Sequence, residues 1–124
     1  MWKGQRKMTD QIYNLCVKII LFLAIYAFLN YCFPTKAEEN AQGHELFKQN
    51  CVVCHGEKGE GDGPAAPGLY PRPRNLVKGS FIMGDSVEAI ANTINNGFNQ
   101  MPSFSNLTDD ERHAIARYVK ALRK

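Results

Sequence analysis

The chain has 124 residues, 44% hydrophobic and 22% charged, with four Cys and a formal charge of +3. That length allows one small domain and no second hydrophobic core. The apolar fraction excludes a disordered or collagen-like chain, and four Cys are too few for a disulfide-built scaffold. The charge is uneven, since residues 1–37 carry a net +4 and residues 38–124 a net −1. The basic pI therefore does not indicate nucleic-acid binding.

Residues 1–37 are predicted to be a signal peptide or an uncleaved membrane anchor. A basic start precedes 22 largely apolar residues, 12–33, which would form a helix about 33 Å long, close to the thickness of a bilayer core. Cleavage after residues 35–37 stays open, although Thr35 stands where a smaller residue is usual. An uncleaved anchor has no such requirement. A buried core helix fits poorly because the segment is apolar nearly all round.

Either reading predicts one topology for the chain. Positive charge ahead of the apolar segment keeps the N-terminus in the cytoplasm and exports residues 38–124. We expect these residues on the periplasmic side of the membrane, anchored, or soluble in the periplasm after cleavage. Cys16 and Cys32 lie inside the segment and are expected to act as small hydrophobes. Cys32 lacks the small residue that precedes a lipidated Cys.

The first half of the exported domain is predicted to contain one helix and one long loop. Residues 34–40 are polar and are expected to form a linker, and residues 42–49 a short helix. Residues 56–79 include six Gly and four Pro, which excludes long regular structure and indicates a loop that wraps around something.

Two further helices are predicted near the C-terminus. Ser86 is a good N-cap for a helix to about residue 95, which Gly97 ends. Thr108 caps the last helix and forms a capping box with Glu111. No strand pattern of useful length is present. Three short helices and a long loop in about 87 residues leave a thin core, which usually needs a cofactor, metal or disulfide to complete it.

The segment Cys51-Val52-Val53-Cys54-His55 has the C-x-x-C-H spacing of covalent c-type haem attachment. Two thiols three positions apart reach the two vinyl groups of one porphyrin, and His55 then lies beneath the iron as an axial ligand. A zinc site would need a fourth ligand, from His44 or His113, and no second paired motif is present. A thioredoxin-like dithiol would need a βαβ setting, which the sequence does not show.

With this motif the chain resembles the class I c-type cytochromes over nearly all of residues 41–124. Beyond the motif, the resemblance is carried by four further features: Gly43 and Phe47, the Gly-rich run 59–64, Gly97 before Met-Pro-Ser-Phe at 101–104, and the last helix at 107–122. It implies an all-α cytochrome c fold, with three to four short helices and a long Gly/Pro loop around one covalent haem c. The apolar N-terminal helix precedes that fold.

The resemblance also implies an axial ligand pair. Met101 would supply its thioether sulfur opposite His55, a ligation that raises the haem potential and leaves no open iron position. Met83 is the second choice for this ligand and is expected to pack near the haem. His44 and His113 are expected to face solvent.

Further residues are assigned on the same basis. The carbonyl of Pro64, or else of Pro67, would accept the Nδ1 proton of the axial His. Arg72 and Arg74 would neutralise a haem propionate, with solvated loop charges as the alternative. Gly43 would let the first and last helices cross closely opposite Tyr118. The expected haem-packing residues are Leu69, Tyr70, Leu76, Phe81, Ile90, Ile94 and Phe98.

These features together predict a one-haem electron carrier outside the cytoplasmic membrane, which is not an enzyme. Its expected partners are redox proteins or a respiratory complex, the membrane if the N-terminal segment is uncleaved, and no nucleic acid. Two alternatives stay open: a haem subunit of a larger membrane oxidoreductase, and a haem enzyme or sensor with an open sixth position.

Overall fold

The computed structural model describes residues 3–32 and 35–123 and divides the chain into two compact units, Met1–Thr35 and Lys36–Lys124. The division comes two residues before the boundary expected from sequence. Within the described residues there is no strand, only an isolated antiparallel bridge between Phe98 and Met101.

The first unit contains one long helix, α1 (Lys3–Cys32). From Ile12 onward its large apolar side chains are exposed, Leu29 at 49% and Phe22 at 70%, so no core buries them. Among the described residues, one helical stretch that begins at Thr9 is long and apolar enough to cross a membrane, by length and composition. A signal sequence has the same properties, so the anchor and signal interpretations both remain predictions.

The second unit begins with α2 (Lys36–Asn50), which is longer than expected. The predicted linker is wrong from Lys36 to Asn40, where the chain is already helical; Pro34 lies outside the described residues. Glu38 and Glu39 stand in the first turn, where negative charge favours a helix. Glu39 also lies 3.4 Å from Arg117 of the last helix, so a tertiary contact supports this extra turn.

Four further helical segments follow. These are α3 (Val52–His55), a 3₁₀ turn (Ala66–Gly68), α4 (Val87–Asn96) and α5 (Asp109–Ala121). The predicted caps are confirmed: Ser86 Oγ accepts a hydrogen bond from the Ala89 amide at 3.1 Å, and Thr108 and Glu111 form the capping box.

The core of this unit lies where α5 packs against α2 and α4. Gly43 allows the α2–α5 crossing, since a Cβ there would lie 2.9 Å from both the carbonyl carbon of Ala114 and Cβ of Tyr118. The predicted close approach is therefore confirmed. Phe47 and Ile115 are the largest fully buried side chains in the described chain. So small a core leaves one side of α4 and α5 open to a cavity.

Candidate functional site

A cavity of about 540 Å³ opens between α3, the Gly/Pro loop, α4 and α5. Most of its wall is apolar. Its aliphatic and aromatic lining includes six of the seven residues expected to pack on a haem, namely Leu69, Leu76, Phe81, Ile90, Ile94 and Phe98. The domain therefore surrounds a large apolar space that its own side chains do not fill.

Tyr70 is the exception among the expected packing residues. Its side chain is 88% exposed and does not line the cavity, so its predicted packing role is wrong. Pro71 lines the wall beside it instead. Met83, the second choice for the axial ligand, is 60% exposed and also lies off the wall.

The attachment motif forms one wall of the cavity. Cys51 precedes α3, and its carbonyl accepts hydrogen bonds from the amides of Cys54 and His55 at 3.2 and 2.9 Å. This single helical turn brings positions i, i+3 and i+4 to one side, because a helix repeats about every 3.6 residues. All three side chains are half-buried and line the cavity. Two thiols and an imidazole thus face the same apolar space.

The His55 ring is oriented by a backbone carbonyl. Its Nδ1 lies 3.0 Å from the Arg74 carbonyl oxygen. A carbonyl only accepts, so Nδ1 donates and the lone pair of Nε2 is left free to bind a metal.

The predicted acceptors for this proton were Pro64 or Pro67, and that assignment is wrong. Both prolines are exposed. The segment around Pro64 is hydrogen-bonded to α3 instead: Gly63 N donates to the Cys54 carbonyl at 3.2 Å, and Ala65 N donates to the Val53 carbonyl at 2.9 Å.

The approach of Arg74 to His55 depends on a glycine. Gly61 has φ +82°, and its amide donates to the His55 carbonyl at 2.8 Å. A Cβ at Gly61 would lie 2.5 Å from the Pro73 carbonyl oxygen and 3.2 Å from the Arg74 carbonyl carbon. Only a residue without a side chain fits where these two backbone segments cross.

Burial controls the ionisation of the motif. Burial raises the pKa of the Cys51 thiol to about 12, with the nearby Cys54 as a lesser cause. Burial also lowers the pKa of His55, opposed in part by its hydrogen bond to the Arg74 carbonyl. Both effects keep the Cys51 thiol and the His55 imidazole neutral at physiological pH. A neutral imidazole is the form that binds a metal through Nε2.

Met101 reaches the cavity from a short hairpin after α4. Gly97 ends the helix with φ +74°, and Phe98 and Met101 then exchange backbone hydrogen bonds of 3.0 and 2.9 Å. The Met101 side chain is half-buried and lines the cavity, as the His55 side chain does. The structure therefore brings both predicted axial ligands to one space.

The two candidate propionate residues differ in their surroundings. Arg72 is exposed and lines the cavity. Arg74 also lines it, but its guanidinium donates to the Ser80 carbonyl. Arg72 is thus the less constrained of the two cations at this wall.

The other two histidines do not line the cavity. The His44 ring is exposed, with its centroid 5.0 Å from that of Tyr118. His113 is less exposed than predicted, because it bridges Glu88 of α4 and the Asp109 carbonyl of α5 at 3.1 and 2.7 Å.

Sequence reasoning missed several functional atoms at this site. The Arg74 carbonyl is a backbone group, which no residue-type pattern identifies. Thr93 and Gln100 also line the cavity, and neither belongs to a motif. The side chain of Gln100 donates to the Tyr70 carbonyl, a contact between segments 30 residues apart that sequence spacing does not reveal.

A family model described as cytochrome C oxidase, cbb3-type, subunit III matches residues 38–119. Cytochrome c6 of Cyanidioschyzon merolae is 36% identical over 91 residues, which cover 71% of this chain and 79% of that protein. The cbb3-type cytochrome c oxidase subunit CcoP of Azospirillum brasilense is 32% identical over 90 residues, 71% of this chain and 30% of that subunit.

Two solved structures share the fold. A chain of the Kuenenia stuttgartiensis reducing HAO-like protein complex Kustc0457/Kustc0458 has a TM-score of 0.65 and 31% identity, over 74% of this chain and 46% of that one. Cytochrome c6 from the diatom Phaeodactylum tricornutum has a TM-score of 0.54 and 26% identity, over 66% of this chain and 91% of that one. The likeness to cytochrome c6 covers most of that small protein, whereas the other two matches cover less than half.

Proposed function

The chain belongs to the class I c-type cytochromes, and on that premise we propose the role that each of its residues takes around the haem. It binds haem c covalently and transfers electrons through it. We assign the two thioether bonds to Cys51 and Cys54 and the axial positions to His55 and Met101. The observation that carries the assignment is that these four side chains line one apolar cavity.

The donor set fits haem c. Cys51 and Cys54 supply two thiols one helical turn apart, and His55 presents Nε2 with Nδ1 already hydrogen-bonded. The thioether of Met101 needs no deprotonation to bind. The bound haem supplies the one-electron Fe(II)/Fe(III) couple, and His/Met ligation raises its potential.

The protein's own part is to hold these ligands still and keep water away. Leu76, Ile94 and Ile115 are buried wall residues, so they exclude solvent and lower the local dielectric. The Arg74 carbonyl fixes the ring plane of His55. With His55 and Met101 held in place in this way, the protein would rearrange little when the bound haem gains or loses an electron.

Electrons would enter and leave the bound haem where the cavity wall is exposed. Val53, Ile82 and Phe98 line the cavity and are also exposed, at 53%, 65% and 36%. A redox partner that contacts these side chains would approach the haem edge without a protein layer in between. The chain itself turns over no substrate in this proposal, because no iron position is open.

We assign residues 1–37 to a membrane anchor or signal that delivers the haem domain to the periplasmic side. The support is the exposed apolar surface of α1 from Ile12 onward and the positive charge of the residues that precede Ile12. Membrane and soluble fractions of cells that express the full chain decide between the two forms. Haem in the membrane fraction at the mass of the full chain indicates the anchor, and haem in the soluble fraction at a smaller mass indicates cleavage.

Axial ligation is tested on the full chain matured with covalent haem. We expect a far-red methionine-to-iron charge-transfer band in the ferric wild type and no rapid CO binding by the ferrous form. Met101→Ala should lose the band, bind CO and have a lower potential, because the thioether no longer stabilises Fe(II). Met83→Ala is the control and should keep the band, since Met83 is 60% exposed and off the wall. Rapid CO binding by the wild type would contradict the ligand assignment and favour an enzyme or sensor.

A second candidate is a haem subunit of a membrane oxidase. The match to CcoP favours it, although the chain covers only 30% of that subunit. Extraction in mild detergent followed by size-exclusion chromatography separates the two possibilities. Haem that elutes with other membrane proteins indicates a subunit, and haem that elutes at the size of the single chain indicates a free carrier.

A further inference from the structure

The hairpin that carries Met101 is hydrogen-bonded to α4 at its base. Phe104 N donates to the Ile94 carbonyl at 3.0 Å, and Ser103 Oγ donates to the Asn95 carbonyl at 2.5 Å. Both acceptors belong to the last turns of α4. A Cβ at Gly97 would lie 2.6 Å from the Met101 carbonyl oxygen, so the returning strand of the hairpin lies directly against the helix end.

The tip of the hairpin is fastened differently. Asn99 and Gln100 are exposed, and Asn99 has φ +52°, as a tight turn requires. Gln100 Nε2 donates to the carbonyl oxygen of Tyr70, in the Gly/Pro loop. Leu69 and Pro71, on either side of Tyr70, line the cavity, as Gln100 itself does. This hydrogen bond therefore connects two segments of the cavity wall that are far apart in sequence.

The Tyr70 side chain takes no part in this contact. Its ring is 88% exposed, and the acceptor is the backbone carbonyl. The bond depends on an amide N–H donor at position 100 and on the length of the side chain that carries it. A backbone acceptor also stays in place when its own residue is substituted.

We propose that Gln100 is a positioning residue for Met101: its hydrogen bond to the Tyr70 carbonyl holds the hairpin tip against the Gly/Pro loop and keeps the thioether on the iron. The proposal rests on the assignment of Met101 as axial ligand. Without the Gln100 bond, the hydrogen bonds that hold the hairpin to the rest of the described domain are those at its base, and Met101 leaves the iron more often.

Imidazole added to the ferric protein measures this directly, because it binds only when Met101 has left the iron. Its apparent affinity is the intrinsic affinity multiplied by the fraction of protein with Met101 displaced. One hydrogen bond contributes about 0.5 to 1.5 kcal/mol. Gln100→Ala should therefore tighten the apparent imidazole affinity about 2- to 12-fold. Gln100→Glu should do at least as much, because a carboxylate has no N–H and meets the carbonyl with like partial charge.

Gln49→Ala is the matched control. Gln49 also makes one side-chain hydrogen bond, to Glu45 at 3.1 Å on the exposed side of α2, and does not line the cavity. It should leave the imidazole affinity unchanged. The free energy of unfolding in denaturant is measured for the same Gln100 and Gln49 variants. A purely structural role for Gln100 would lower stability and leave imidazole affinity where it is, and that result would overturn the proposal.

The far-red band of the wild type separates the two hypotheses. If the band is present and Gln100→Ala binds imidazole as the wild type does, the positioning role is wrong and the ligand assignment stands. If the wild type has no band, Met101 is not the ligand and both are wrong. A present band with tighter imidazole binding in both Gln100 variants supports both.

Discussion

The close crossing of α2 and α5 at Gly43 gives a sharp test of the fold. An alanine at Gly43 would place Cβ 2.9 Å from the carbonyl carbon of Ala114 and 2.9 Å from Cβ of Tyr118. Ordinary contacts of this kind begin near 3.4 Å. None of these neighbours can rotate away, because they are backbone atoms and a Cβ. The α2 and α5 helices must therefore separate, which loosens the packing of Phe47 between them.

The magnitude follows from two opposing effects. Alanine gains about 1 kcal/mol over glycine inside a helix. Overpacking costs about 1 to 3 kcal/mol, and rigid neighbours favour the upper end of that range. We expect Gly43→Ala to lower the free energy of unfolding by about 2 kcal/mol.

The assay is guanidinium unfolding of the haem-loaded protein, followed by far-UV circular dichroism. Gly68→Ala is the matched control, because a Cβ there meets nothing within 4 Å, and it should change stability by no more than about 0.5 kcal/mol. A Gly43→Ala protein as stable as the wild type would refute the close crossing of α2 and α5.

Two other changes test the attachment of α4. Ser86→Ala removes the cap of the Ala89 amide and should cost about 1 kcal/mol, measured by the same unfolding assay. His113 donates to the Asp109 carbonyl and to Glu88, which raises its pKa above the usual 6.5, while partial burial and, to a lesser degree, Arg117 oppose the shift. The stability this adds is present below pH 6.5 and is lost as the pH rises through the raised folded value. His113→Gln should therefore reduce the loss of stability as the pH rises above about 6.5, measured as the unfolding midpoint against pH, and an unchanged slope would exclude this role.

Local sequence patterns predicted those parts of the fold that depend on local physics. Ser86 and Thr108 satisfy amide groups within their own first helical turns, so their roles follow from neighbouring residues alone. The start of α2 is different. Its first turn carries Glu39, which pairs with Arg117 some 78 positions later, and no local rule anticipates that support.

The candidate site likewise combines features that follow from local sequence with features that depend on tertiary contacts. The spacing of Cys51, Cys54 and His55 predicted that these three side chains would serve one haem, and the structure shows that one helical turn brings them to the same side. The carbonyl that accepts the Nδ1 proton of His55 could not be predicted, since every residue of the Gly/Pro loop has a carbonyl of the same kind. The Arg74 carbonyl reaches the His55 ring because Gly61 has no side chain and lets its backbone pass close to that of Pro73 and Arg74.

Backbone acceptors also explain which substitutions such a site tolerates. The His55 ring and the hairpin tip both depend on carbonyls, of Arg74 and Tyr70, within five positions of each other in the Gly/Pro loop. Neither hydrogen bond uses the side chain at its acceptor position, so each persists as long as the loop keeps its path. The path itself is constrained where glycine is required, as at Gly61. If His55 and Met101 are the axial ligands, as we propose, the loop orients both of them through its backbone, and the glycine at position 61 is needed for one of these two contacts.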